Sequence, residues 1–176
     1  MPKSSNTISS EKAGGSPAFH PFDPIIDDNS NILILGSFPS IKSFENNFYY
    51  AHPRNQFWPL LSSIFNMPAE TVEEKRLLLK RNRLALWDVV QSCERSNSAD
   101  TGLQHCKPND IPSLLKTHPH IRVIMFTGKK AYELFRRYFP DITLPQIVLP
   151  SPSPAYASKR FDEKLDIWRD CFSDFI

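Results

Sequence analysis

The segment 48–58 contains the residue types from which a site for a planar ring is built. Two adjacent tyrosines precede a histidine, an arginine and an asparagine in F-Y-Y-A-H-P-R-N-Q-F-W. Aromatic faces hold a base that has left its stack, and a carboxamide positions water although it is too weak a base to deprotonate it. Asn is also a favoured N-cap residue, so Asn55 is either a reactive-site group or the cap of a following helix. His52 is likewise a site residue or an ordinary loop histidine.

Two further segments place hydroxyl groups beside glycine or proline. In G-S-F-P-S, at 36–40, an apolar run meets a rigid loop that either cradles a small ligand with backbone N–H groups or is a plain turn. The segment L-P-S-P-S-P-A-Y-A-S, at 149–158, is either a polyproline connector or a hydroxyl-bearing rod that suits phosphate, with Tyr156 near its tip. Both are candidate ligand contacts.

Charged side chains at the ends of two other apolar runs are also either site residues or ordinary surface and loop residues. The lysines of T-G-K-K, at 127–130, contact a phosphate or face solvent, and Asp88 supports a reacting group or accepts hydrogen bonds from loop amides. The sequence has no Walker loop, G-x-G-x-x-G after a strand, H-E-x-x-H, zinc-deaminase signature or G-x-S-x-G. Nucleotide triphosphate binding, dinucleotide binding, zinc deamination and α/β-hydrolase chemistry are therefore not supported.

Apolar runs place these segments at one edge of a sheet. Continuous apolar runs that predict buried strands lie at 31–36, 84–90, 122–127 and 146–149. Helical spacing predicts helices at 56–66, 70–83 (with 77–79 inward), 110–116, from 128 onward, and 158–175. This alternation predicts a single three-layer α/β/α domain with a mainly parallel four-stranded sheet, at 21–176, after a flexible tail at 1–20. Ligands bind at the carboxyl ends of such strands, from which the segments 37–55, 91–100, 128–129 and 150–157 depart.

Composition narrows the class of protein. The chain has 176 residues, 40% of them hydrophobic and 23% charged, with a net charge of +2, which is typical of one globular domain. Three cysteines without C-x-x-C spacing argue against a disulfide framework and a structural zinc site. The apolar runs are too short for a membrane span and residues 1–20 lack a signal-peptide pattern, so we expect an intracellular, cytoplasmic protein.

Taken together, five segments resemble the uracil-DNA glycosylase superfamily, and within it the hypoxanthine-DNA (deoxyinosine) glycosylase branch. They are G-S-F-P-S, Y-Y-A-H-P-R-N-Q-F-W, A-L-W-D-V-V, F-T-G-K-K-A-Y and L-P-S-P-S-P-A. They follow the family's order and spacing over most of residues 31–168. The resemblance implies a monofunctional glycosylase that flips a deaminated base from damaged DNA and hydrolyses its N-glycosidic bond. It also implies no cofactor, no metal, no membrane partner and a monomer.

The resemblance also assigns roles to residues. Asn55 matches the branch's catalytic asparagine, Tyr50 matches the aromatic that stacks on the flipped base, and 149–157 matches the loop that pinches the DNA backbone. The residues expected to contact the base are Gly36, Ser37, Phe38, Pro39, Ser40, Tyr50, His52, Asp88, Thr127 and Gly128. The residues expected to contact DNA are Arg54, Lys129, Ser151, Ser153, Pro154, Ala155 and Tyr156.

Three positions depart from the wider family pattern. Phe38 stands where the superfamily often has Asp or Asn, Thr127 where an Asn commonly precedes the glycine, and Tyr156 where the last motif usually has Asn. Hypoxanthine is the expected substrate. The alternatives are uracil or xanthine in the same reaction, or a domain of this fold that binds nucleic acid without catalysis.

Overall fold

The computed structural model describes residues 17–95 and 103–176. The strands are β1 (Pro17–Phe19), β2 (Ile32–Gly36), β3 (Leu84–Asp88), β4 (Val90–Arg95), β5 (Leu103–Pro108), β6 (Val123–Phe126) and β7 (Gln146–Val148). The helices are α1 (Ile41–Asn46), α2 (Phe57–Phe65), α3 (Val72–Arg81), α4 (Ile111–Thr117), α5 (Lys129–Tyr138) and α6 (Phe161–Ser173).

A four-stranded parallel sheet forms the centre of the domain, in the order β3-β2-β6-β7. Every residue of β2 and β6 is buried, as their uninterrupted apolar sequences predict for strands covered on both faces. This arrangement confirms the predicted fold class. It also brings the carboxyl ends of β2, β3 and β6 to one edge, where Gly36 and Asp88 lie opposite each other in the register.

Alternate residues of the sheet enter two separate cores. Ile32 and Ile34 belong to the cluster that packs against α2, α3 and α6, whereas Leu33 and Leu35 belong to the cluster that packs against α4 and α5. Successive side chains of a strand point to opposite faces, so a continuous apolar run supplies both cores. The result is the predicted three-layer α/β/α arrangement.

A second, antiparallel sheet with the order β1-β4-β5 was not predicted. Residues 91–95 belong to β4 rather than to the predicted 91–100 loop, and residues 96–100 lie outside the described ranges. Most of the predicted tail, at 1–16, is also outside them, but 17–19 pair with β4. These short strands carry little periodicity of their own, and pairing with distant segments decides their conformation.

Local details differ from the sequence prediction at three further places. The predicted loop 37–55 contains α1, whose first turn is capped by the Ser40 side chain accepting from the Ser43 N–H. In α3, Leu78 and Leu79 are buried as expected, but Leu77 is 45% exposed. The last helix begins at Phe161 rather than at 158, after an Arg160–Glu163 capping interaction.

No helix within the described ranges is long and apolar enough to span a membrane.

Candidate active site at the carboxyl-terminal edge of the sheet

A cavity of about 930 Å³ opens where the central strands end. It is lined by all but one of the residues predicted for the site: Gly36, Ser37, Phe38, Pro39, Ser40, Tyr50, His52, Asn55, Asp88, Thr127, Gly128, Lys129, Ser151, Ser153, Pro154, Ala155 and Tyr156. Arg54 is exposed and is not among the lining residues. The lining also includes Ser43, Tyr49, Val148 and Ile167, to which sequence reasoning gave no role.

The end of β2 requires a glycine because two polar side chains converge on Gly36. A Cβ atom at this position would lie 2.4 Å from Asp88 Oδ1 and 2.7 Å from the Tyr50 hydroxyl. Both distances are far below van der Waals contact, so any side chain here would displace one of these groups. Gly36 therefore lets a carboxylate and a phenol meet at the cavity floor.

Tyr50 is held in place by packing, a hydrogen bond and an unusual backbone. Its φ of 53° lies in the left-handed region, which is rare for a bulky residue. Its ring stacks on Phe57 with centroids 3.9 Å apart and an interplanar angle of 12°. Its hydroxyl lies 2.8 Å from Thr127 Oγ1, within hydrogen-bonding distance. Backbone strain of this kind persists where the surroundings impose it, as they do at functional sites.

Asn55 lines the cavity but is not the N-cap of α2, which is its neighbour Gln56. Its Oδ1 accepts a hydrogen bond of 2.9 Å from the Phe57 N–H at the start of α2, and its side chain also lines the cavity. Only an oxygen can accept from that N–H, so the bond fixes which end of the amide is which. A carbonyl oxygen has a second lone pair, and the amide nitrogen carries two donors. With this bond formed, the side chain can still orient a water molecule.

His20 is a buried residue of the site that sequence reasoning placed in the tail. Its Nε2 lies 2.7 Å from Asp88 Oδ2, and the two side chains are only 2% and 5% exposed. Sixty-eight positions separate the two residues. No local pattern connects them, so the sequence contained no signal for the pair.

Tyr49 supports the same floor from the side. Its hydroxyl donates to the Asp23 carbonyl at 2.8 Å, and its own carbonyl accepts from the Trp58 indole N–H at 2.9 Å. Burial, with a smaller contribution from the charge of Asp88, raises the pKa of Tyr49 far above its usual value. Burial of the Tyr49 ring therefore favours the neutral phenol.

The proline-rich segment after β7 is fixed to α2 by a buried lysine on α6. Lys164 Nζ donates to Gln56 Oε1 at 2.8 Å and to the Tyr156 carbonyl at 3.0 Å, and burial lowers its pKa. The Gln56 N–H donates to the Pro152 carbonyl at 2.9 Å. Because Gln56 follows Asn55 directly, these bonds fix the rim of the cavity relative to the candidate catalytic residue.

Gly128 brings the start of α5 against that rim. Its φ of 128° is accessible mainly to glycine, and a Cβ here would lie 3.3 Å from the Ser151 Cβ. The first residues of α5, Lys129 and Lys130, line the cavity next to it. Backbone N–H groups of a helix start and two lysines make this part of the rim suited to an anion.

Within the described ranges, no group of three or more His, Cys, Asp or Glu side chains is placed to hold a metal ion. The polar groups that line the cavity are amide, hydroxyl, carboxylate, imidazole and ammonium groups.

Comparison with known proteins places the chain in a family. The sequence profile of the Uracil DNA glycosylase superfamily matches residues 24–172. The chain belongs to this superfamily. The match extends over the parallel sheet and all of the segments that line the cavity.

Two curated relatives and one solved structure extend this family assignment. Hypoxanthine DNA glycosylase of Methanosarcina barkeri is 39% identical over 114 residues, which are 64% of this chain and 72% of the relative. Hypoxanthine DNA glycosylase of Methanosarcina acetivorans is 36% identical over 144 residues, which are 81% of this chain and 89% of the relative. A solution NMR structure of a candidate uracil DNA glycosylase from Methanosarcina acetivorans has a TM-score of 0.75. Its sequence is 34% identical, and the match covers 87% of this chain and 95% of that one.

Proposed function

We propose that this DNA glycosylase removes hypoxanthine from DNA and that Asn55 positions the attacking water. The observation that carries the proposal is that Asn55, Tyr50 and Asp88 line the same cavity. Relatives at 36–39% identity that are named hypoxanthine DNA glycosylase support the choice of base. The enzyme would leave an abasic site as the product that base excision repair processes.

The reaction needs little acid or base strength from the protein. As the C1′–N bond breaks, its electron pair leaves with the base, and the sugar becomes an oxocarbenium-like cation. Water forms the new bond to C1′, and the proton that this water loses neutralises the departing base anion. Asn55 can orient this water through its carbonyl oxygen, whose position is set by the bond to the Phe57 N–H. Backbone N–H groups of 36–40 can donate to the departing base and stabilise its developing negative charge.

The cavity floor is complementary to the edge that deamination creates. Asp88 supplies a carboxylate acceptor, and Tyr50 and Thr127 supply hydroxyl groups, which by their chemistry donate as well as accept. An acceptor beside a donor matches an imino N–H next to a carbonyl, which hypoxanthine has and adenine lacks. A flipped base would stack on the exposed part of the Tyr50 ring.

The rim of the cavity is proposed to contact the DNA backbone. Hydroxyls of Ser151 and Ser153, the start of α5 with Lys129, and the exposed Arg54 suit phosphate contacts. Tyr156 is 37% exposed at the tip of the segment, where it can enter the space that a flipped base leaves. A monomeric state and a cytoplasmic location are predictions from sequence that accompany this proposal.

Two alternatives share this site. Uracil and xanthine also carry an imino N–H beside a carbonyl, so they would fit the same floor. A non-catalytic DNA reader would keep the rim but would not need a strained Tyr50 or an oriented Asn55. These two features favour the enzyme.

A single-turnover cleavage assay tests the proposal. Duplexes that each carry one hypoxanthine, uracil or xanthine are incubated with excess protein and then treated with alkali, which breaks the strand at abasic sites. We expect cleavage at hypoxanthine. In Asn55→Ala we expect a loss of about 10³-fold, the size seen when one oriented catalytic group is removed, with binding to DNA retained.

Two further variants control for folding. Asn55→Ser keeps a side-chain acceptor for the Phe57 N–H but is too short to hold the water, so it should be as inactive as Asn55→Ala. Asn66→Gly alters the left-handed residue at the other end of α2 and should cleave normally. Full cleavage by Asn55→Ala would refute the role of this residue. No cleavage of any duplex by folded wild-type protein would favour the DNA reader.

A further inference from the structure

We propose that His20 is a positioning residue for the reaction: it holds the Asp88 carboxylate in the orientation that receives the base. This inference rests on the proposed function. It assigns a role to a segment that precedes the central sheet and that no motif of the sequence singled out.

The imidazole is fixed at both of its nitrogen atoms. Nε2 lies 2.7 Å from Asp88 Oδ2 and, as N–H, donates to it. Nδ1 lies 3.2 Å from the Phe22 N–H and 2.8 Å from the Phe22 carbonyl. When Nδ1 is unprotonated it accepts from the N–H, and when it is protonated it donates to the carbonyl. The ring therefore keeps its place, and Nε2 stays a donor to Asp88, in both protonation states.

Packing and backbone bonds leave the ring no other position. Three aromatic rings surround it, with centroids 5.5 Å away at Phe22, 5.8 Å at Tyr49 and 6.2 Å at Phe38. The His20 N–H donates to the Gln91 carbonyl at 2.6 Å, which continues the pairing of β1 with β4. The antiparallel sheet thus anchors the histidine beneath the floor of the cavity.

The hydrogen bond matters because it decides where the other carboxylate oxygen points. With Oδ2 bound to His20, Oδ1 faces Gly36 and lies 2.4 Å from the position of a Cβ there. That point is also 2.7 Å from the Tyr50 hydroxyl, so Oδ1 shares the floor with the Tyr50–Thr127 pair. Without the imidazole, rotation about the Cβ–Cγ bond of Asp88 would be free to turn this acceptor away.

The main chain that carries Asp88 is held by hydrogen bonds of its own. The Asn109 amide donates to the Asp88 carbonyl at 2.9 Å, and the Val89 N–H donates to the Gly36 carbonyl at 2.8 Å. The main chain on both sides of the floor is therefore fixed without His20. Replacing the imidazole should affect the Asp88 side chain and leave the strand ends in place.

Two substitutions of His20 separate the hydrogen bond from the packing. His20→Phe keeps an aromatic ring but removes the donor, whereas His20→Gln places an amide N–H the same number of bonds from Cα as Nε2. In the hypoxanthine single-turnover assay we expect His20→Phe to lose about 10²-fold in rate, the cost of misplacing a group by about 1 Å. We expect His20→Gln to recover to within about tenfold of wild type, since one neutral hydrogen bond is worth roughly that factor.

A double-variant comparison tests whether His20 acts through Asp88. Asp88→Ala alone should lower the rate, and adding His20→Phe should lower it little further, because the interaction is already lost. This double variant buries no unpaired charge, so it also covers the case in which His20→Phe fails to fold. The positioning role would be overturned if the rate loss of the double variant equalled the product of the two single losses. Wild-type cleavage by His20→Phe would overturn it as well.

The hydrogen bond between His20 and Asp88 can also be observed by NMR, without any catalysis. In the free wild-type protein we expect a slowly exchanging imidazole Nε2–H proton in the NMR spectrum, which Asp88→Ala removes. Its absence from wild type would contradict this inference. Failure of wild-type protein to cleave any duplex, with that proton present, would contradict the proposed function and leave the bond itself established.

Discussion

The interior of the parallel sheet and its carboxyl-terminal edge bury different kinds of side chain. In the interior, every residue of β2 is buried and its four large side chains are apolar. At the edge, only one residue further along the neighbouring strands, the buried groups are polar, among them Asp88 and Thr127. The interior gains stability from burying apolar surface, whereas each polar group at the edge needs a specific partner.

This difference supports the proposal that the active site lies at the edge. Tyr50 has a left-handed backbone, and the neighbours of Gly36 leave no room for a Cβ at that position. The Asp88 carboxylate is buried with an imidazole as its partner. None of these features favours folding by itself. Strain and buried polar groups persist where the surrounding structure imposes them and function uses them. Three substitutions would test this contrast.

The largest effect on stability is expected in the interior. Leu33→Ala removes a fully buried side chain from the core that faces α4 and α5, which should lower the free energy of unfolding by about 3 kcal/mol. Cleavage per folded molecule should stay at the wild-type value. Denaturant unfolding and the single-turnover assay at low temperature measure the two quantities. A tenfold loss of cleavage in folded protein would break the contrast between interior and edge.

A smaller loss of stability with a larger loss of activity is expected at Gly36. Gly36→Ala forces a methyl group against Asp88 Oδ1 and the Tyr50 hydroxyl, and such overpacking costs about 1–3 kcal/mol. Since both groups form the cavity floor, cleavage should also fall by at least about tenfold. The same two measurements apply. Wild-type stability together with wild-type cleavage would show that the close approach at Gly36 has no consequence.

The smallest effect is expected from one hydroxyl group. Tyr50→Phe removes the bond to Thr127 but keeps the stack on Phe57, so the free energy of unfolding should fall by about 1 kcal/mol. Tyr138→Phe is the matched control, because the Tyr138 hydroxyl bonds to the Cys106 carbonyl outside the cavity lining. Both variants should lose similar stability, but only Tyr50→Phe should weaken cleavage of hypoxanthine duplexes. Equal cleavage by the two would remove the hydroxyl from base recognition.

Much of the architecture could be predicted because continuous apolar runs and helical spacing are local properties. The parallel strands and the helices that cover them follow from these patterns, with shifted ends where caps decide, as at Ser40 and Arg160. The second sheet was missed because short strands such as β1 have no strong pattern and depend on partners that are distant in sequence. This second sheet contributes to the site, because β1 leads directly to His20.

The sequence by itself determined the parallel sheet, the edge at which the cavity opens and nearly all of the predicted residues that line it. These follow from the order of apolar runs and from the motifs at their ends, which are written locally in the chain. Only the tertiary structure decided that Asn55 accepts from the Phe57 N–H while it lines the cavity, that Lys164 fixes the proline-rich rim, and that His20 contacts Asp88. These contacts join residues through space, and their hydrogen bonds form only after the sheets and helices have packed.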